Sequence, residues 1–272
     1  MRYLFFTFVF LTISLHAYSD ADLDGVDDLV DRCPNTPMTE LVDISGCTTK
    51  SLASLHHYDI ILGGSFSQTD YNTNEKTDTY TALAQVDYYY KQFSIQASTS
   101  YYTADSSAYN DNGMNDSMLA AYYQFRLSED LLLRAGVGVI LPTYDTTLNN
   151  NNTDYTASIS LSYSLDNVNI FGSYAYTQVN DDDVITPDII VNYQNTNAYN
   201  AGLGYHFGSR LYASVAYNAV DSIYQSVEMI ETASLYTYYG IDEHWFTTAS
   251  YAYGVSDSAS DNYIALRLGY YF

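Results

Sequence analysis

Basic residues and long internal apolar runs are both scarce in this sequence, and each shortage excludes a class of protein. Lysine and arginine together number 9, against 32 acidic residues, so the formal net charge is -23. The phosphates of a nucleic acid and the head groups of anionic lipids would repel such a chain. Beyond the N-terminus, no apolar run approaches the roughly 20 residues of a membrane-spanning helix. We therefore expect no nucleic-acid partner and no helical span.

The N-terminal stretch MRYLFFTFVFLTISLHA has the form of a secretory leader. One arginine precedes an apolar core of about a dozen residues, and small residues follow it. Ala17 and Ser19 satisfy the small-residue rule for cleavage, which predicts a signal peptide over residues 1–19; the alternative is a buried N-terminal strand. No cysteine closes the leader, which argues against a lipid-anchored lipoprotein. Export to an oxidising compartment favours a disulfide between Cys33 and Cys47.

From about residue 56 to its end, the sequence alternates apolar and polar residues with a period of two. In YTASISLSYSL, residues 155–165, aromatic and aliphatic residues fall on one face of a strand, and serines and threonine fall on the other. An amphipathic helix does not have this period. About twelve such segments begin near residues 57, 79, 93, 117, 131, 155, 168, 198, 210, 232, 244 and 262.

The connections between these segments alternate in length. Tight turns are predicted near residues 91–92, 128–130, 166–167, 208–210 and 241–243. Longer connections rich in Asp and Asn are predicted near residues 70–78, 105–116, 145–154, 178–197, 219–231 and 254–261. A soluble β-sandwich gives no reason for this alternation, whereas a transmembrane barrel has short periplasmic turns, long outer loops and an even number of strands.

Aromatic residues and prolines support a barrel. Outward-facing rings cluster at both ends of the predicted strands, such as Tyr123 and Trp245 near short turns and Tyr101 and Tyr174 near long loops. Two such belts match the two interfaces of a membrane. Three of the four prolines avoid strand interiors, and Pro142 falls at the outer end of a strand. The alternative interpretation of these rings is that tyrosines form the core of a soluble protein.

The chain over residues 56–272 therefore resembles a Gram-negative outer-membrane β-barrel protein. Its last strand has alternating apolar residues and ends in an aromatic, like the signal that the barrel-assembly machinery reads in that class; the residues are Leu266, Leu268, Tyr270 and Phe272. The resemblance implies an all-β fold, a transmembrane antiparallel up-and-down β-barrel of about 12 strands. It also implies location in the cell outer membrane and the barrel-assembly machinery as a partner.

Residues 20–37, DADLDGVDDLVDRCPNTP, place carboxylates at a calcium-binding spacing. Counted from Asp20, carboxylates fall at positions one, three, five, nine and twelve, with glycine at six and the carbonyl of Val26 at seven. The predicted ligands of one Ca²⁺ ion are Asp20, Asp22, Asp24, Val26, Asp28 and Asp31. Unlike an EF-hand, position twelve is Asp31 and not glutamate, and leader cleavage leaves no room for a preceding helix. The alternative is a solvated acidic linker.

The same segment resembles a thrombospondin type 3 repeat, in which a calcium loop runs into Cys-Pro and Thr-Pro. Residues 33–47, CPNTPMTELVDISGC, are similar to the linker of the outer-membrane protein A family, including its paired cysteines. That family's peptidoglycan-binding domain is not expected here, because the rest of the chain reads as barrel. The resemblance implies a small calcium-binding, disulfide-closed module over residues 20–52, located in the periplasm.

Inward positions of the predicted strands are mostly small and polar, and the charges among them are few. They are predicted to lie near the periplasmic ends of their strands: Asp59, Asp87, Arg126, Arg134, His206 and Arg267. One interpretation is an ionic layer that holds the barrel closed. The other is a constriction that sets ion preference.

The predicted outer loops are strongly acidic. They hold seventeen of the 32 acidic residues, and Lys76 is their one cation. Solubility alone would explain this charge. An acidic vestibule would also concentrate cations, and divalent ions would bridge the carboxylates to lipopolysaccharide phosphates.

We expect no enzymatic activity. No Walker, Rossmann or zinc spacing is present, and none of the five histidines falls in a long loop, where a hydrolytic site would be needed. The sequence predicts a passive porin-like channel for small polar or cationic solutes. The alternative is a non-conducting structural or surface-interaction protein, with inward tyrosines filling the lumen: Tyr89, Tyr122, Tyr212, Tyr236, Tyr238 and Tyr263.

Overall fold

The structure, a computed structural model, divides the chain into two compact units, Met1–Ser54 and Leu55–Phe272. It describes residues 28, 31–33, 44–45, 47, 56–70, 75–107, 110–146, 150–186 and 190–272. The predicted signal peptide over residues 1–19 lies outside the described residues. In the first unit, Cys33 and Cys47 are joined by a disulfide with an Sγ–Sγ distance of 2.07 Å. The disulfide that export to an oxidising compartment favours is therefore present.

The second unit consists of strands, and twelve of them begin close to the positions that the alternation predicts. They are β1 (His56–Thr69), β2 (Thr77–Tyr90), β3 (Phe93–Asp105), β4 (Asn110–Met114), β5 (Ser117–Arg126), β6 (Leu131–Leu141), β7 (Asp154–Leu165), β8 (Val168–Gln178), β9 (Val184–Ile185), β10 (Ile190–Val191), β11 (Thr196–Phe207), β12 (Leu211–Val220), β13 (Ile230–Gly240), β14 (Trp245–Gly254) and β15 (Asn262–Tyr271). Twelve of these form the wall of the barrel. Strand β4 extends the wall beside the outer half of β3, and β9 and β10 pair only with each other.

The first and last strands close the sheet. β1 pairs with β2 on one side and with β15 on the other, so that Ile60 lies opposite both Val86 and Tyr270. Every pairing is antiparallel between neighbours along the wall. The predicted all-β fold with a closed 12-strand barrel is confirmed.

Loop length alternates around the barrel as predicted. The tight turns use backbone conformations that suit a two- or three-residue reversal: Lys91, Asp166 and Gly208 have φ of 54°, 49° and 82°. These turns all lie at one end, which we call the short-turn end. The described parts of segments 70–76, 142–153, 179–195, 221–229 and 255–261 lie at the other, the long-loop end, together with those of the connection that contains β4.

The apolar residues of each wall strand face outward. Leu62, Val137 and Leu266, from three different strands, expose 60%, 64% and 61% of their surface on the outside of the barrel. Most buried residues on the inward register are polar or small, such as Ser94, Ser214 and Ala265; Ile61 and Phe246 are the large apolar exceptions among the described residues. No large side chain among the described residues is fully buried. The described interior of the barrel therefore lacks the tightly enclosed apolar core of a soluble protein.

Among the described residues, no helix has the length and apolar character needed to cross a membrane.

Candidate functional site in the barrel lumen

Two predicted lumen carboxylates lie side by side. Asp59 on β1 and Asp87 on β2 are directly opposite in the strand register, and each is only 6% exposed. Gln85 Nε2 donates to Asp87 Oδ2 at 2.8 Å, whereas Asp87 Oδ1 has no hydrogen-bond partner among the described residues. Facing like charges on neighbouring strands repel each other. The sequence placed both residues inward, but only the register shows that they face one another.

Arg134, on β6, reaches across β5 toward these acids. Its guanidinium lies 3.8 Å from the centre of the Tyr122 ring, and its terminal nitrogen is 3.5 Å from Ser94 Oγ on β3. The stacking on Tyr122 is a cation–π contact. Within the described part of the chain, neither Asp59 nor Asp87 lies at ion-pair distance from Arg126, Arg134 or Arg267. An aromatic face and a hydroxyl, and not a carboxylate, therefore hold the Arg134 side chain.

The other predicted lumen charges are spread around the wall. The His206 ring on β11 lies 4.7 Å from the Tyr212 ring. Arg267 on β15 is paired with Gly63 of β1, whose missing side chain makes room for it. Arg126 is exposed at the short-turn end of β5. The structure therefore brings Asp59 and Asp87 together, with Arg134 nearby, and leaves the remaining three apart.

Large lumen side chains lie directly over glycines of a neighbouring strand. Such pairs, in which a Cβ on the glycine would collide with the side chain above it, are Tyr122 over Gly136, Tyr212 over Gly204 and Phe246 over Gly269. These glycines let the rings lie against the wall, so that the rings take less of the lumen. Tyrosines that the sequence placed inward line the lumen without being fully buried.

Sequence reasoning missed an aromatic cluster at the short-turn end. Phe246 and Tyr271 stack with ring centres 4.5 Å apart, and the hydroxyls of Tyr238 and Tyr271 are 3.0 Å apart. The period-two pattern could have identified this cluster. Phe246 follows the outward-facing Trp245 and Tyr271 follows the outward-facing Tyr270, so the alternation places both Phe246 and Tyr271 on the inward face.

The long loops are hydrogen-bonded to each other. Asp182 N donates to Asn150 O at 3.1 Å, Asn152 N donates to Asp181 Oδ1 at 2.8 Å, and Gln225 N donates to Asn192 O at 3.0 Å. These bonds join segments 142–153, 179–195 and 221–229 into one rim.

Burial and neighbouring acidic residues raise the pKa of one carboxyl group in this rim. Burial, the largest effect, raises the pKa of the Asp181 carboxyl; the hydrogen bond from the Asn152 N–H opposes it, and Asp116 and Asp182 add to it. A raised pKa means that Asp181 takes up a proton at higher pH than an ordinary carboxylate does. The rim therefore begins to lose negative charge at a higher pH than a rim of ordinary carboxylates would.

Two of the six predicted calcium ligands, Asp28 and Asp31, are described. Asp31 Oδ1 accepts a hydrogen bond from Cys33 N at 2.8 Å, and Asp31 Oδ2 is enclosed and has no hydrogen-bond partner among the described residues. One free oxygen fits a ligand that binds a metal through a single atom, and not the two-oxygen ligand that ends an EF-hand. The remaining predicted ligands, Asp20, Asp22, Asp24 and Val26, lie outside the described residues. No cluster of three metal-binding side chains is found in the described part.

No family model matches this chain, and no curated protein matches it. Its fold is shared with solved outer-membrane barrels. An outer membrane channel from Pseudomonas putida F1 superposes with a TM-score of 0.68 at 11% identity, covering 80% of this chain and 96% of that one. The NanC porin superposes with a TM-score of 0.57 at 13% identity, covering 78% of this chain and 98% of the porin. Identities this low establish a common fold and no more.

Proposed function

We propose that this protein is a passive, porin-like channel of the outer membrane for small polar or cationic solutes. The observation that carries the proposal is the inverted distribution of polarity. Apolar side chains cover the outside of the barrel, whereas serines, threonines, amides, a few charges and the rings of tyrosines and phenylalanines line the interior. A water-filled pore through a membrane needs this distribution, and a soluble β-protein has the opposite one.

The dimensions of the wall support a membrane location. Its strands contain 10 to 14 residues, and tilted strands of about 9–11 residues cross the apolar layer of a bilayer. The fold shared with outer-membrane channels adds to this argument. In the proposed orientation, the short-turn end and the N-terminal unit are periplasmic, and the hydrogen-bonded loops face outside.

The proposed cation preference comes from the outer rim. Seventeen acidic residues and the single cation Lys76 lie in the predicted outer loops, and Lys76 is itself paired with Asp261 at 3.5 Å. An acidic entrance raises the local concentration of cations. We also propose that divalent cations connect this rim to lipopolysaccharide phosphates.

The ends of the chain suggest two further partners. The C-terminal strand β15, with outward Leu266, Leu268 and Tyr270 followed by Phe272, is proposed to be read by the barrel-assembly machinery. The N-terminal segment is proposed to bind one Ca²⁺ ion through Asp20, Asp22, Asp24, Val26, Asp28 and Asp31. Binding is expected to be weak, because Asp31 has one oxygen engaged by Cys33 N.

A non-conducting, surface-interaction role is the second candidate. The hydrogen bonds that join the long loops favour it, because an ordered rim would present a fixed surface to a partner. Conduction separates the two candidates.

Ion selectivity at two salt concentrations tests the proposed cation preference. The screening length is about 10 Å at 0.1 M salt and about 3 Å at 1 M, so the effect of the exposed loop carboxylates should fade as salt rises. We expect reversal potentials to show cation preference at low salt that weakens or disappears at high salt. Replacing the lumen arginines, by Arg126→Ser with Arg134→Ser, should restore cation preference at high salt.

The matched control for this test is Arg210→Ser. Arg210 lies in a tight turn and not on the lumen wall, so its loss should leave selectivity unchanged. If the lumen double variant and this control behave alike, Arg126 and Arg134 stabilise the wall and do not select ions.

A further inference from the structure

One sector of the lumen forms a recess without charged side chains. It has a volume of about 450 Å³, spans strands β7, β8, β11, β12 and β13, and is lined by residues that include Ser160, Asn169, Phe171, Tyr212, Ser214 and Tyr236. This volume is within the range of about 300–1,000 Å³ typical of small-molecule sites. The recess begins at β7, where Ser160 lies directly opposite Arg134 of β6, whereas Asp59 and Asp87 lie farther round the wall, on β1 and β2.

Glycines of β11 hold the recess open. A Cβ on Gly202 would collide with the Phe171 ring, and one on Gly204 would collide with the Tyr212 ring. Both rings therefore rest on the wall and present an aromatic surface to the lumen. Tyr236 on β13 adds a third ring, whose centre is 6.5 Å from that of Tyr212 at an angle of 60°. These rings offer apolar faces to a ligand.

Hydroxyls and amides supply the polar part of the recess. Asn169 Nδ2 donates to Ser162 Oγ at 2.7 Å, and Asn218 Nδ2, next to the recess, donates to Ser234 Oγ at 3.0 Å. A serine hydroxyl both donates and accepts, and a side-chain amide offers two donors and one acceptor oxygen. The surface can therefore match a ligand that presents many hydroxyl groups.

The electrostatic surroundings argue against a charged ligand. The ionisable neighbours are His206, whose ring centre is 4.7 Å from that of Tyr212; Arg134, directly opposite Ser160 in the strand register; and Arg267, two strands beyond β13. None of them carries negative charge, so an organic cation would be desolvated here without a compensating carboxylate. An anion would first have to pass the acidic rim. An uncharged solute is not repelled by the acidic rim, and it brings no charge to be desolvated in the recess.

We propose that this recess is a binding site for an uncharged polyhydroxylated solute, a neutral mono- or disaccharide. The apolar C–H face of a sugar ring packs on an aromatic ring, while its hydroxyls bond to serines and amides. The inference rests on the proposed channel function, because the solute reaches the recess through the lumen. It specifies the polar solutes that the channel accepts.

Saturation-transfer NMR with maltose tests the binding without requiring conduction. The full-length protein is purified in a detergent whose head group is not a sugar, and glucuronate and choline are the charged comparison probes. We expect saturation transfer to maltose that glucose competes away, with weaker signals for both charged probes. Tyr236→Leu and, as a second variant that keeps a strand-forming residue, Ser214→Val should each weaken binding by roughly five- to tenfold.

Tyr263→Leu is the matched control, since Tyr263 is a lumen tyrosine outside the recess. It should leave maltose binding unchanged. Equal losses in Tyr236→Leu and Tyr263→Leu, stronger binding of choline or glucuronate, or no transfer to maltose would each overturn the inference.

Current recordings keep this inference separate from the channel proposal. If the protein conducts but maltose neither binds nor interrupts the current, only the recess inference fails. If maltose binds in micelles while the protein gives no conductance, the channel proposal fails and the binding site stands.

Discussion

Close contacts between glycines and large side chains determine how much of the lumen stays open. Gly204 lies beneath the Tyr212 ring, and a Cβ at this position would collide with the ring. We predict that Gly204→Ala lowers the free energy of unfolding by about 1–3 kcal/mol, the cost of overpacking a filled site. Urea unfolding of the protein in micelles measures this change.

Gly64→Ala is the matched control for Gly204→Ala. A Cβ on Gly64 would meet only Thr81 O, at an ordinary distance of 3.6 Å. Alanine at this position should change stability by less than about 0.5 kcal/mol. Equal effects of the two substitutions would show that backbone entropy, and not the contact with Tyr212, sets the cost.

Individual lumen residues could be predicted from the sequence, but not their neighbours. The alternation gives each residue a face, and it placed Asp59, Asp87 and Arg134 inward from one-dimensional information. Which residues meet depends on the strand register, which sets Asp59 opposite Asp87. The stacking of Arg134 on Tyr122 also depends on side-chain reach across a strand, which a sequence pattern does not contain.

At the scale of elements, the wall strands were predictable, and the extensions at the long-loop end were not. Each wall strand has a period-two pattern between turn residues. Strand β4 does not: its sequence, NDNGM, is polar and contains a glycine, and it is extended because it pairs with the outer half of β3. Strands β9 and β10 likewise depend only on each other. Pairing partners, and not local propensity, create such elements.

The N-terminal acidic segment provides a prediction at the same scale. The full-length protein should bind one Ca²⁺ ion in this segment weakly, because Asp31 offers one free oxygen. Replacing Asp22 and Asp24 by alanine should abolish this binding, since each substitution removes a predicted ligand. Isothermal titration calorimetry with calcium measures the loss.

Asp257→Ala is the control variant that distinguishes calcium binding in the N-terminal segment from calcium binding to the acidic loops. Asp257 lies in the long loop before β15, so its removal should leave the heat from the N-terminal site unchanged. A calorimetric signal that survives in the Asp22→Ala, Asp24→Ala protein would place the calcium elsewhere, and the N-terminal segment would be only an acidic linker.

For the whole molecule, alternation in residue type and in loop length was sufficient to predict a closed barrel. An even number of antiparallel strands with one apolar face closes on itself because its edges would otherwise be unpaired. Whether the lumen is open was not predictable in this way. Inward tyrosines at the same sequence positions could fill the interior, and only the positions of glycines on the neighbouring strands bring Tyr122 and Tyr212 back to the wall.

Single-channel recording of the purified full-length protein in a planar lipid bilayer tests the central claim most directly. Because the described interior has no fully buried large side chain and a polar lining, we predict discrete, reproducible conductance steps. The same preparation must be shown to be folded, by heat-modifiable migration and β-sheet circular dichroism. Folded, membrane-inserted protein that produces no conductance steps would contradict the account and favour a non-conducting surface protein.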